Sequence, residues 1–170
     1  MDIRIIDDFL PPEIVYDAAA FINSSAWNLG VVSDYISQQK IWGIKDLCKN
    51  ELFSKTIFEK IKETYGMNFE LLRITANGSM QGSDGGYHTD DSIDNTFTFL
   101  LYLSDINEYN VDDVGGHTLF RDRNDKKIIA VEPLFNRGIL FDSKLEHRGL
   151  APYRTSNVFR MSIAYKLILI

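Results

Sequence analysis

Cysteine is almost absent from this chain of 170 residues, and Cys48 has no second thiol to meet. That excludes an internal disulfide and any cysteine-held zinc, and it fits a reducing compartment. No apolar run approaches the length of a membrane span, and the closing Leu167-Ile168-Leu169-Ile170 is far too short for one. Met1-Asp2-Ile3-Arg4 opens with charge and has no signal-peptide core, so a soluble, cytoplasmic protein without a membrane partner is expected. Basic residues are missing altogether between Ile74 and Phe120, a stretch that carries eight acidic ones. With a formal net charge of -6, nucleic acid is an unexpected partner, because phosphate binding needs clustered Lys and Arg. Repeats, low-complexity tracts and linkers are lacking too. One domain over 1-170 is expected, with 1-67 as helical and strand support and 68-170 as the core.

What is present favours strands. Aromatics make up 12% of the chain, mostly Phe and Tyr, which suits a strand-rich interior over a helix bundle. Ile3 to Ile6 reads as a first strand. Pro11-Pro12 then prepares a helix to about Asn23, with Leu10, Ile14, Ala18, Phe21 and Ile22 as its stripe. Ser24 to Lys49 reads as short strands and loops, where core packing by Trp27 and Trp42 outweighs a role as a substrate wall. Asn50 can cap a second helix bearing Phe53, Ile57, Phe58 and Ile61, which ends at Gly66. Phe69 to Thr75 is a strand, followed by a glycine loop (Gly78, Gly82, Gly85, Gly86) that reads as a mobile connection or a lid.

Thr96 to Leu103 is the clearest strand. Phe97, Phe99, Leu101 and Leu103 form one face, while Thr96, Thr98, Leu100 and Tyr102 form a second with hydroxyls suited to a pocket. Ser104 to Asp113 reads as a polar hairpin-like loop. Further strands follow from Gly115, at Ile128 to Val131, at Gly138 to Phe141 and at Val158 to Leu169. Two helices and about eight strands predict a mainly β (α+β) fold, a double-sheet jelly roll with helical support.

His88 and Asp90 are two apart, so in extended backbone both project to one face. The intervening geometry turns Asp91 away. An imidazole and a carboxylate so placed can be adjacent ligands of one ion, and His147 downstream can be a third. Two histidines and a carboxylate leave other positions open, the facial triad of non-haem Fe(II) oxygenases. His117 reads as structural. Arg160 shares a strand face with Ser162, Ala164 and Lys166, and a guanidinium turned inward needs an anion. Either a ligand carboxylate, held bidentately with help from Ser162, Tyr102 and Thr98, or an internal salt bridge would supply it.

The ordered set His88-x-Asp90, Gly115-Gly116-x-Thr118-x-Phe120, Val131-x-Pro133, Gly138 to Phe141, His147-x-Gly149 and Arg160-x-Ser162 resembles the Fe(II)/2-oxoglutarate-dependent oxygenases. Within them it looks most like the prolyl 4-hydroxylase-like branch, over roughly Phe69 to Tyr165. The resemblance implies a double-stranded β-helix in which His88, Asp90 and His147 hold iron. It also implies that Arg160 binds the distal carboxylate of 2-oxoglutarate, with Tyr102 and Ser162 as helpers. The implied activity is a dioxygenase reaction that turns O2 and 2-oxoglutarate into succinate and carbon dioxide while hydroxylating an unactivated carbon. Ascorbate is a possible reductant, and the substrate a prolyl or other side chain of a protein or peptide, or a free amino acid. Thr75-Ala76-Asn77 stand where many relatives carry a tyrosine of the 2-oxoglutarate pocket. Arg154 and Arg160, six apart, resemble the paired arginines of AlkB-like nucleic-acid demethylases, which with a non-catalytic jelly-roll binding module are the alternatives.

Overall fold

The computed structural model describes residues 2-31 and 41-170. Val32 and Tyr35, read as part of a strand-and-loop region, lie outside them. Among the described residues, ten strands form two antiparallel sheets. They are β1 (Ile3–Ile6), β2 (Asn28–Val31), β3 (Ile41–Ile44), β4 (Phe69–Ser79), β5 (Thr96–Tyr102), β6 (Thr118–Asp122), β7 (Lys127–Val131), β8 (Gly138–Asp142), β9 (Glu146–Gly149) and β10 (Arg160–Leu169). The large sheet runs β1-β8-β5-β10-β4-β3-β2 and the small one β7-β6-β9. Among the described residues, the α-helices that accompany them are α1 (Pro12–Ser24), α2 (Phe58–Tyr65) and α3 (Val111–Val114).

Period-2 alternation decides which way the large sheet faces. Phe99, Leu101, Ile163, Tyr165 and Leu167 turn to one side, where they pack with Val15, Ala18 and Ile22 of α1 and with Phe53, Ile57 and Ile61. Leu100, Tyr102 and Ala164 turn to the other and meet Phe120, Val131, Ile139 and Phe141 between the sheets. β5 is thus buried on both faces, as its sequence predicts. The second helical body is wound unevenly: a π-helical stretch, Leu52–Ile57, leads into α2. Asn50 caps it as expected, its Oδ1 accepting from the Leu52 N–H at 2.9 Å, and Gly66 ends it in the left-handed region.

Two expectations are corrected and one is met. The glycine loop starts later than its composition suggests, because β4 runs on to Ser79. A Cβ at Gly78 would lie 2.3 Å from the Phe159 ring and 2.8 Å from Trp27, so this glycine serves close packing inside a strand. Trp27 stands edge-on to Phe159 at 5.0 Å, the packing role expected of it. Ser104 to Asp113 is no hairpin: it leads into α3, and Ile106, Val111 and Val114 form a small buried cluster.

The amino-terminal segment is tied to the β7–β8 connection by Asn136, which is buried at φ 61°. Its amide accepts from the Leu10 N–H at 3.0 Å and donates to the Leu10 carbonyl at 2.8 Å. Asn136→Ala leaves both backbone groups unpaired and is expected to cost about 3 kcal/mol, lowering Tm by roughly 10 °C. Asn136→Gly restores the backbone freedom but not the bonds. If thermal denaturation shows Asn136→Gly to be as stable as wild type, the bonds contribute nothing.

Candidate active site

One cavity of ≈ 1130 Å³ opens between the sheets, lined by His88, Asp90, His147, Arg160, Ser162 and Lys166 among others. His88 lies in the extended segment after the glycines. It is cross-linked to His147 by reciprocal backbone bonds, His88 N–H to the His147 carbonyl at 3.0 Å and His147 N–H to the His88 carbonyl at 2.9 Å. A turn follows β8, and His147 lies on a strand of its own, β9. There it pairs with Phe120 of β6 and is 5% exposed beneath the rings of Phe120 and Phe141.

The three side chains converge. One potential ligand atom from each of His88, Asp90 and His147 lies within 4.8 Å of the others. Asp90 Oδ1 is 3.5 Å from His88 Nε2, and Oδ2 is 3.4 Å from His147 Nε2. Both imidazoles are oriented from behind, Nδ1 of His88 on the Gly86 carbonyl at 3.0 Å and Nδ1 of His147 on the Leu145 carbonyl at 2.9 Å. Donation from Nδ1 leaves each Nε2 lone pair facing the cluster, the arrangement a metal requires. Burial pushes His147 down to about 4, which keeps it a free base at neutral pH. Burial also acts to lower His88, but its bonds to Asp90 and Gly86 outweigh that and raise it. Asp90 is held well below its ordinary value: burial opposes ionisation, and the neighbouring imidazoles and Lys166 overcome it.

Asp91 does not join. Its Oδ1 closes a turn on the N–H groups of Ser92 and Ile93. His117 also lies outside the cluster.

Arg160, at the start of β10, is 5% exposed. Nε donates to the Gly116 carbonyl at 2.6 Å and Nη2 to Thr118 Oγ1 at 2.9 Å, with the guanidinium 5.2 Å from the Tyr102 ring centre. A Cβ at Gly116, whose φ is 81°, would stand 3.1 Å from Arg160 Cδ. That explains the double glycine before β6. Among the described residues no carboxylate pairs with Arg160, so the internal salt bridge is not found. Opposite it, Ser79 Oγ is buried without a hydrogen-bond partner.

The supporting residues stand in different places. Ser162 lines the cavity beside Arg160. Tyr102 is fully buried with its hydroxyl on Thr118 Oγ1 at 2.6 Å, so it steadies the residues around Arg160 from behind. Thr98 stands beside the metal-site cluster, donating to Asp90 Oδ2 at 2.6 Å. Arg154 is exposed and is not among the residues that line the cavity with Arg160. Lys166 was visible only as a member of the Arg160 face; its ammonium is paired with Asp90 and lies 3.2 Å from Thr98 Oγ1.

These groups fit a ferrous ion and a dicarboxylate. Two imidazoles and one carboxylate suit Fe(II) with open positions, while a buried guanidinium without a counter-ion and an orphaned serine hydroxyl suit a carboxylate. A jelly roll with these groups at two ends of one cavity is of the class of metal-dependent double-stranded β-helix enzymes. The family model of the 2OG-Fe(II) oxygenase superfamily matches residues 73–165, and the chain belongs to that superfamily. It is accordingly an Fe(II)- and 2-oxoglutarate-dependent oxidoreductase, a dioxygenase. No curated protein matches the sequence. Solved structures share the fold at low identity. A prolyl hydroxylase from Trichoplax adhaerens, in complex with a hypoxia inducible factor peptide fragment, has TM-score 0.70 and 15% identity over 98% of this chain and 83% of its own. A Pseudomonas putida prolyl-4-hydroxylase has TM-score 0.66 and 18% identity over 98% and 91%. HygX from Streptomyces hygroscopicus, with nickel, 2-oxoglutarate and hygromycin B bound, has TM-score 0.71 and 12% identity over 98% and 82%. Among the described residues, no helix is long and apolar enough to cross a membrane.

Proposed function

We propose that this dioxygenase hydroxylates an unactivated carbon of an amino-acid side chain, prolyl first, in a peptide, a protein or the free amino acid, with release of succinate and carbon dioxide. The observation that carries the reading is the placement of His88, Asp90 and His147 within 4.8 Å at one end of a cavity whose other end holds an uncompensated Arg160. Prolyl hydroxylases among the structures sharing its fold support the prolyl 4-hydroxylase-like branch.

In this reading His88, Asp90 and His147 hold Fe(II), and Arg160 with Ser162 takes the distal carboxylate of 2-oxoglutarate. Bound iron supplies the activation of dioxygen and the oxidative decarboxylation of the co-substrate. The chain's own work is positional. Backbone carbonyls fix the imidazole tautomers, Thr98 and Lys166 hold Asp90, and Phe120 and Phe141 exclude water from behind His147. The whole chain acts as one catalytic unit, 68-170 as the core and 1-67 as its support.

The test is succinate release by the purified protein with Fe(II), 2-oxoglutarate and ascorbate, screened over prolyl peptides, other peptides and free amino acids. Slow uncoupled release in wild type, its loss in His88→Ala, and a rise on addition of one substrate class with gain of one oxygen atom are expected. Iron-dependent turnover stimulated only by a methylated nucleic acid would replace the hydroxylase reading.

A further inference from the structure

Lys166 is a second cation beside the proposed iron site, and the reading just given does not use its charge. Its side chain is 15% exposed, and the strand register explains why it is there. On β10 it pairs with Thr98 of β5 on one side and Arg73 of β4 on the other, so all three share the cavity face. The ammonium is paired with Asp90 and also reaches Thr98.

The charges can be followed around the cavity. Lys166 cancels Asp90. The two positive charges of Fe(II) and the one on Arg160 then face only the two negative charges of 2-oxoglutarate. One positive charge is left over in a buried site, where an uncompensated charge is costly. The remaining acidic groups of the lining do not remove it: Asp46 pairs with Lys49, and Glu146 with Arg121 and Arg123. Asp91 is not among the lining residues. Lys45 and Arg73 line the same cavity, and neither has an ion-pair partner among the described residues.

We propose that the substrate brings the missing negative charge: a small acid whose carboxylate docks at Lys166 and Arg73, beside the metal and away from Arg160. Within the hydroxylase reading, on which this rests, it selects a free amino acid or similar small acid over an uncharged stretch of polypeptide.

Acetate, the smallest such probe, tests it without turnover. The intact chain is loaded with Mn(II) in place of Fe(II) and with N-oxalylglycine in place of 2-oxoglutarate. Paramagnetic relaxation of labelled acetate is then titrated beside acetamide, its neutral isostere, and inorganic phosphate. Saturable acetate binding at least about tenfold tighter than acetamide is expected, weakened about fivefold by Arg73→Gln and about tenfold by Lys166→Met. Arg73 touches none of the three proposed ligands, so its variant carries the test even where Lys166→Met disturbs the metal. Acetate no better than acetamide, or indifferent to Arg73→Gln, overturns the proposal, the latter result meaning that acetate binds the metal alone. Tighter phosphate overturns the choice of carboxylate. A chain that binds neither Mn(II) nor N-oxalylglycine overturns the site assignment and this inference with it, a result distinct from a loaded chain that ignores acetate.

Discussion

Asp90→Asn is expected to abolish succinate formation and to weaken Mn(II) binding by at least about a hundredfold. Asp90 is the only anion of the three side chains that converge, and the amide keeps its shape while removing the charge. The loss does not stop at the metal. Lys166 pairs with this carboxylate, and stripping one partner from a buried pair costs about 3–5 kcal/mol, because the other charge is left behind. Asp90→Asn should therefore also lower Tm, and Lys166→Met added to it should recover much of the stability without recovering the metal. Measured together, Mn(II) titration and thermal denaturation separate the two roles of Asp90. Wild-type Mn(II) affinity in Asp90→Asn would remove it from the ligand set and leave it a structural partner of Lys166. The metal argument would then need a different carboxylate.

Particular residues show what could be read from the chain and what could not. β5 was legible because its period of two puts Phe97, Phe99 and Leu101 on one side and Thr98, Leu100 and Tyr102 on the other. The cluster was legible because His88 and Asp90 are local and His147 belongs to an ordered set of motifs. β9 was not, since Glu146-His147-Arg148-Gly149 has no apolar alternation and becomes a strand only by pairing with β6. Gly78 reads as a breaker until Trp27 and Phe159 close on it from distant parts of the chain. The acidic Asp112-Asp113 masked a helix whose Val111 and Val114 turn inward. The sequence places Thr98 on the cavity face but not at a position along it. That position depends on the register of β5 against β10, where Thr98 stands opposite Lys166 and Tyr102 opposite Ser162. Register is a long-range property that local pattern does not contain.

Arg160→Met should raise the KM for 2-oxoglutarate, and weaken N-oxalylglycine binding, on the order of a hundredfold. A charge-assisted, two-pronged contact with a carboxylate in a buried site is worth about 3 kcal/mol, and methionine keeps the aliphatic stem while deleting the fork. Arg160→Lys should rescue little. A point charge on a flexible stem cannot hold the Gly116 carbonyl, the Thr118 hydroxyl and a ligand together. The effect on stability is what distinguishes the roles. A cation poised for a ligand is a burden on the empty protein, because burial disfavours its charged form and no described carboxylate repays it. Removing it should leave the Tm of the unliganded chain nearly unchanged while abolishing the rise in Tm that wild type shows on adding N-oxalylglycine. A structural arginine would do the reverse, with a large fall in Tm and co-substrate affinity intact. Arg160 faces Ser79, whose hydroxyl has no partner, and both belong to the end of the cavity opposite Lys166. Ser79→Ala should therefore weaken N-oxalylglycine binding by a few-fold in the same assay, while leaving Mn(II) affinity where it was.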